Sequence, residues 1–268
     1  MRSKKKGPGI ITLITDFGGK GEYSGAMKGA ILRVNPRCQI VDITHEIEPQ
    51  NILQASWVLK NSYPYYPPGT IHVVVADPGV GTARRAIVLQ KEEYSFVGPD
   101  NGVFTWILSR ESGGSAYEIT NRNFFLTPLS DTFHGRDIFA PVAGHLSLGL
   151  APRFLGPRLR DPVTIAWPNP RLSKSALGAM ILWADSFGNL ITNISRQEYG
   201  HKLEGRAILI KGRGWRIDQI HRTYGEGRAG QPLALFGSDG LLEISVNRGN
   251  ASNILGLKPG DPVTMKLL

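Results

Sequence analysis

The chain has a single cysteine, Cys38, among 268 residues. An internal disulfide is therefore impossible, and the expected compartment is a reducing cytoplasm. No apolar run approaches the roughly 18 residues that a membrane helix needs. The first apolar segment, Ile10–Ile14, is too short for a secretory h-region and gives way to Thr15-Asp16. The six histidines contain no HxH or HExxH spacing, so no metal site is expected. There is no GxSxG elbow and no glycine loop ending in Lys-Ser/Thr. These absences argue against disulfide scaffolds, membrane spans, zinc hydrolases, serine esterases of the α/β-hydrolase type and P-loop NTPases.

The length suits one large domain or two modest ones, and 41% hydrophobic with 20% charged residues is the balance of a globular chain. Lys and Arg number 31 against 22 Asp and Glu, a net charge of +9. Alone, that excess points to an anionic partner such as nucleic acid. Its distribution argues otherwise. Arg2, Lys4, Lys5 and Lys6 precede residue 7, and residues 152–174 hold five basic side chains against one acid. Residues 7–151 hold 11 basic and 13 acidic side chains and are slightly acidic.

Strand and helix signals alternate over the first half. Ile10–Ile14, Gln39–Ile43 and Thr70–Ala76 read as strands, the last a nearly continuous apolar run of the kind covered on both faces. Gly25–Val34, Ile52–Lys60 and Phe139–Leu150 read as helices, and Ala86–Gln90 with Tyr94–Val97 as a strand pair. Residues 8–165 are thus expected to form an α/β N-terminal domain with a largely parallel sheet. A basic tail over 1–7 precedes it, and a proline-rich linker over 166–174 follows. Residues 175–268 carry short strands and Gly-rich turns with no helix of ten residues, so a small C-terminal all-β barrel-like domain is expected.

In an α/β sheet, ligands collect beyond the carboxyl ends of strands. Asp16 and Asp77 each follow an apolar strand, so both acids should reach one crevice. Gly19 to Gly25 spaces its glycines GxGxxxG, not GxGxxG, and Asp16 beside it opposes a phosphate. A carboxylate there suits the paired hydroxyls of a ribose. Asp77-Pro78-Gly79-Val80-Gly81-Thr82-Ala83-Arg84 puts an acid and an arginine around a tight turn, a costly burial unless they pair or act. Asp131-Thr132-Phe133-His134-Gly135-Arg136-Asp137 places a histidine in a loop before a helix; a capped helix start and a functional loop both fit. In Asp185-Ser186-Phe187-Gly188-Asn189, alternate residues would face one side of an extended chain. That side would offer an acid, a stacking ring and an amide. Ser238-Asp239-Gly240 through Glu243 reads as a polar-rimmed hairpin.

These segments, in this order from about residue 10 to the end, resemble the S-adenosyl-L-methionine hydroxide adenosyltransferases, relatives of the fluorinase and chlorinase. The resemblance implies hydrolysis of S-adenosylmethionine to adenosine and methionine. It further implies a homotrimer with sites at subunit interfaces, a small-molecule substrate, and no cofactor, metal, nucleic acid or membrane. The catalytic Asp, Arg and His of the family fall on Asp77, Arg84 and His134, and its ribose acid on Asp16. Substrate-binding positions fall on Thr132, Phe133, Gly135, Asp185, Phe187, Asn189, Ser238, Asp239, Glu243 and Val246. The halogenases lack the Asp-Arg-His set, so its presence points to water as the nucleophile. Halogenase-type substitution and non-catalytic nucleotide or nucleic-acid binding are the alternatives.

Overall fold

Strands covered by helices on both faces must be largely apolar on both, and the first and third strands of this chain are, with buried Thr12 and His72 hydrogen-bonded to each other at 2.7 Å. The computed structural model describes residues 9–108, 114–203, 206–212 and 214–268; the basic tail expected over 1–7 lies outside them. The chain divides into two compact units, one up to Ala166 and one from Trp167.

The first unit runs β1 (Ile10–Thr15), α1 (Tyr23–Val34), β2 (Gln39–Thr44), α2 (Ile52–Ser62), β3 (Ile71–Val75), β4 (Ala86–Lys91), β5 (Tyr94–Pro99), α3 (Thr105–Leu108), β6 (Ser115–Glu118), α4 (Ala140–Ser147) and β7 (Arg158–Leu159). Its seven strands lie in the order β2-β1-β3-β5-β4-β6-β7. The pairs β1–β2, β1–β3 and β3–β5 are parallel, while β4–β5, β4–β6 and β6–β7 are antiparallel. The sheet is therefore mixed rather than largely parallel. The reason is local: only Glu92-Glu93 separates β4 from β5, with Glu92 at φ +55°, and so short a connection can join only antiparallel neighbours.

Side chains alternate between the two faces. Leu13 and Val73 pack with Met27 and Ile31 of α1 and with α4, whereas Ile14 and Val74 pack with Ala55 and Leu59 of α2. The chain leaves β1 for β2 on one side and returns to β3 on the other. The sheet thus reverses its winding beside β1 and β3, the place where α/β sheets open a crevice.

Helix formation starts earlier than the expected Phe139. Gly135–Phe139 forms a π-turn that leads into α4. Pro141 has no amide to return to residue 137, and the Asp137 carbonyl instead accepts Leu126 N at 2.8 Å. One proline thus docks the 121–126 segment against this turn.

The second unit comprises β8 (Arg171–Leu172), β9 (Ala176–Ala184), β10 (Leu190–Ser195), α5 (Arg196–Leu203), β11 (Ile208–Gly212), β12 (Trp215–Ile217), β13 (Ile220–His221), β14 (Pro232–Phe236), β15 (Leu241–Val246), α6 (Ala251–Leu255) and β16 (Pro262–Leu267). The order is β12-β11-β16-β9-β10-β15-β14-β13, with β8 added on β9. β12 also touches β14, so the sheet curls into a nearly closed, barrel-like form around Leu190, Ile244 and Met265. Two short helices interrupt the all-β expectation. α6 exists because Asn250 caps Asn253 N at 2.9 Å and Gly256 ends it in the left-handed conformation. The 166–174 stretch is not a bare linker, since β8 lies within it and Asn193 Nδ2 donates to the Pro168 carbonyl. Among the described residues, no helix is long and apolar enough to cross a membrane.

Candidate active site

Asp16 and Asp77 stand just beyond the adjacent strands β1 and β3, and Asp16 N donates to Val75 O at 3.3 Å. The turn after β3 is built by its own hydrogen bonds. Val80 N reaches Asp77 O at 3.2 Å and Thr82 N reaches Gly79 O at 3.2 Å, and Thr82 Oγ1 donates to Gly79 O at 2.7 Å. This curl carries Arg84 back over Asp77. Arg84 Nε lies 3.0 Å from both carboxylate oxygens, and Nη2 lies 2.6 Å from Oδ2. The two side chains are 10% and 5% exposed, so little water competes for the pair.

Arg84 Nη2 also meets His134 Nδ1 at 2.8 Å. Two segments 50 residues apart come this close because Gly81 allows it. Gly81 sits at φ +74°, and a Cβ there would lie 2.3 Å from the Asp131 carbonyl. The far loop is closed by Asp137, which is buried. Its Oδ2 accepts Ser130 N at 2.9 Å, and its Oδ1 takes Arg136 Nε at 2.6 Å. Gly135 is packed against Phe17, Met27 and Phe133, all within 3.4 Å of where a Cβ would stand. Phe17, Tyr23 and Phe133 form an aromatic cluster with centroids 5.1–5.7 Å apart, Phe133 meeting both other rings edge-on. Thr132 is exposed beside it.

Electrostatics follow from these contacts. Burial pushes the His134 imidazole below its ordinary pKa, and the Arg84 charge lowers it further. An arginine can only donate, so Nδ1 is the acceptor and the neutral ring carries its proton on Nε2. Burial raises the Asp16 carboxyl above its ordinary value, opposed by the Gln50 amide, which donates to Oδ2 at 2.8 Å.

The second unit gathers another polar set. Asp185, Phe187 and Asn189 do not share one side of an extended strand. Gly188, at φ +82°, bends the segment into a turn, and Asp185 folds back on it. Asp185 Oδ1 accepts Phe187 N at 2.9 Å and Asn189 N at 2.8 Å, while Oδ2 accepts Asn189 Nδ2 at 2.9 Å. Phe187 is left standing outward, 77% exposed. Ser238 and Asp239 occupy the β14–β15 turn, where Asp239 Oδ1 accepts Leu241 N at 3.0 Å. Glu243 is buried and accepts Tyr224 Oη at 2.6 Å. Burial, with the charges of Asp239 and Asp185, raises its pKa. Val246 is buried in the hydrophobic core with Leu190 and Ile244.

Three participants were not anticipated from the residues. Gln50 holds Asp16, Asp137 closes the His134 loop, and Asn101 Nδ2 ties to Ala76 O at 2.8 Å, next to Asp77. Only Asp137 had a sequence signal, as an acid near a helix start. Among the described residues, no cluster of three or more His, Cys, Asp or Glu side chains could hold a metal ion.

Comparison with known proteins places these features in context. The profile of the SAM hydroxide adenosyltransferase N-terminal domain matches residues 11–156, and that of the C-terminal domain matches 179–264. The (R)-S-adenosyl-L-methionine hydrolase of Thermus thermophilus is 37% identical over 95% of this chain and 98% of its own length. The enzyme of the same name from Methanocaldococcus jannaschii is 37% identical over 92% of each. A fluorinase from Actinoplanes sp. is 24% identical over 96% of this chain and 97% of its own. A crystal structure of a conserved protein from Thermotoga maritima superimposes with a TM-score of 0.83 at 39% identity, covering 96% of this chain and 99% of that one.

Proposed function

This chain belongs to the SAM hydroxide adenosyltransferase family, and from that premise we propose that it hydrolyses S-adenosyl-L-methionine to adenosine and L-methionine. The observation that carries the reading is the bonded row Asp77–Arg84–His134. In the reaction, a water oxygen bonds to ribose C5′ as the C5′–S bond breaks in an SN2 displacement. The bond's electron pair stays on sulfur, methionine departs as a neutral thioether, and the water's proton passes to bulk solvent. Departure needs no general acid. The difficulty lies with the nucleophile.

Arg84 supplies what the nucleophile needs. Its charge is permanent, and Asp77 fixes its direction with two parallel contacts. A preorganised cation of this kind stabilises the hydroxide that develops as water attacks. His134, with Nδ1 occupied by Arg84, presents an Nε2–H donor and orients the water rather than deprotonating it. Asp16 binds the ribose hydroxyls, and Phe133, Gly135 and Thr132 wall the reacting centre. Asp185, Phe187, Asn189 and Ser238 take the adenine and amino-acid ends of the substrate, with Asp239 and Glu243 behind them. Acids at these places suit a sulfonium ligand. The working form is a cytoplasmic homotrimer with sites at subunit interfaces, needing no cofactor or metal.

Incubation of the purified protein with S-adenosylmethionine in ¹⁸O-water, followed by mass spectrometry, tests the proposal. The expected products are methionine and adenosine carrying one ¹⁸O. A 5′-halo-adenosine formed in the presence of halide, or S-adenosylhomocysteine, would replace hydrolysis with halogenation or methyl transfer.

A further inference from the structure

The turn between β2 and α2 has a backbone its sequence does not favour. Across Glu48-Pro49-Gln50-Asn51, Asn51 N donates to Glu48 O at 2.9 Å, and Gln50 lies at φ +67°. Proline second, positive φ third and this hydrogen bond are the marks of a type II turn, whose third residue is ordinarily glycine or asparagine. A glutamine in that place is strained. The surroundings hold it there. Asn51 Oδ1 accepts Gln54 N at 2.9 Å, Gln54 Oε1 accepts Glu48 N at 2.7 Å, and Asn51 Nδ2 reaches Glu48 Oε2 at 3.0 Å.

The strained conformation has a visible consequence. A type II turn differs from type I by a flip of its central peptide, and the Gln50 amide belongs to that peptide. In this orientation it donates to Asp16 Oδ2 at 2.8 Å. The same segment grips the Asp16 loop at three other points. His45 Nδ1 meets Thr15 Oγ1 at 2.8 Å, Gly18 N donates to His45 O at 2.7 Å, and Ile47 N donates to Thr15 O at 3.3 Å.

We infer that the Glu48–Asn51 turn is the device that positions Asp16 for the ribose, with Gln50 as its positioning residue. The active part of Gln50 is its main-chain N–H, aimed by a left-handed φ. Its side chain is not required. This rests on the reading of Asp16 as the ribose-binding acid. An acid that must accept two hydroxyls gains from a third, fixed donor that holds its rotamer before substrate arrives.

The test compares Gln50→Val, Gln50→Gly and Asp16→Ala in the full chain, by KM and kcat for S-adenosylmethionine, Kd for adenosine, and Tm. A β-branched residue resists left-handed φ, so in Gln50→Val the turn relaxes and the amide leaves Asp16. KM and Kd should rise roughly tenfold, the scale of one hydrogen bond to a charged group, with kcat within about twofold. Gln50→Gly, which supplies both amide and φ, should rescue the lost affinity and raise Tm by relieving strain. Equal affinity across the Gln50 variants overturns the inference. So does a loss in Gln50→Gly, because the side chain would then carry the effect. If Gln50→Val does not fold, Gln50→Ala makes the same comparison with a smaller expected rise. Asp16→Ala separates the two levels. Unchanged affinity there removes the ribose role and the positioning role together, whereas weakened affinity with a flat Gln50 series removes the positioning role alone.

Discussion

Replacing Arg84 by lysine keeps the charge and removes the planar fork, so it isolates geometry from electrostatics. In the native site, Nε lies 3.0 Å from both Asp77 oxygens, and Nη2 lies 2.6 Å from Oδ2 and 2.8 Å from His134 Nδ1. An ammonium is one nitrogen on a flexible stem. If it satisfies Asp77 in place of the fork, His134 loses its partner; if it reaches His134, the carboxylate is left with one contact or none. Hydrogen bonds to charged groups are worth about 1.5–3 kcal/mol each. With the pair 5% and 10% exposed, water does not readily replace them. Only the share realised in the transition state reaches kcat. A loss of about 3 kcal/mol there slows turnover roughly 10²-fold, the scale for removing one preorganised donor. Single-turnover release of adenosine at saturating S-adenosylmethionine measures the chemical step, and calorimetric titration with adenosine measures nucleoside binding. The expected result is kcat down by about two orders of magnitude with adenosine Kd within about threefold. Turnover within about threefold of wild type would refute the reasoning, because charge without geometry would suffice. A parallel loss of Kd would make Arg84 a nucleoside ligand instead.

Three further outcomes follow from the same geometry. The His134 imidazole, followed by proton NMR, should titrate below its ordinary value of about 6.5, and in Arg84→Ala its midpoint should rise as the cation leaves and Asp77, Asp131 and Asp137 remain. The sign for stability is fixed: folding favours the neutral ring, so this contribution is complete above about 6.5 and is lost as pH falls through the lowered native value. A wild-type midpoint above 6.5 contradicts the assignment of Nδ1 as acceptor to Arg84. Gly81→Ala should lower both Tm and kcat, since its Cβ would lie 2.3 Å from the Asp131 carbonyl at a positive φ; turnover equal to wild type would show that the two loops need not touch. Val246→Ala should cost about 1–3 kcal/mol of stability from lost core packing, read by denaturant unfolding, with adenosine Kd unchanged; a large Kd effect would return that side chain to the site.

The sheet that carries the site was legible because its signals are compositional. Ile10–Thr15 and Ile71–Val75 are mostly apolar on both faces, which places them centrally, and the acids just past them then converge by topology alone. The antiparallel half was less visible. Its direction is set by the two-residue connection Glu92-Glu93, which admits only antiparallel neighbours, a local signal outweighed in the sequence by the alternation of strands and helices before it. Burial in the second unit was hidden for a related reason. All six residues of Leu241–Val246 are buried, so alternation cannot say which face Glu243 or Val246 occupies. The second-unit turn failed differently. Taking Asp185 to Asn189 as extended ignored Gly188, whose positive φ turns the chain and makes Asp185 a partner of Asn189 rather than its neighbour on a flat face.

What escaped the sequence most completely is backbone conformation that no residue type announces. Glycine at 81 advertises a turn, but not that the turn must pass within contact of the Asp131 carbonyl. That approach is what lets Arg84 meet His134 across 50 residues of chain. At Gln50 even the advertisement is missing, since a glutamine in a left-handed turn looks like any surface glutamine. The two positions make one physical point. Asp16, Asp77, Arg84 and His134 are chemically ordinary, and motif reading finds them by type and order. Their competence depends on peptide units aimed at them from other loops, at φ values that cost free energy. Substitutions at 50 and 81, which change φ tolerance and, at 81, the room for a Cβ, should therefore alter the site without replacing any of these four side chains.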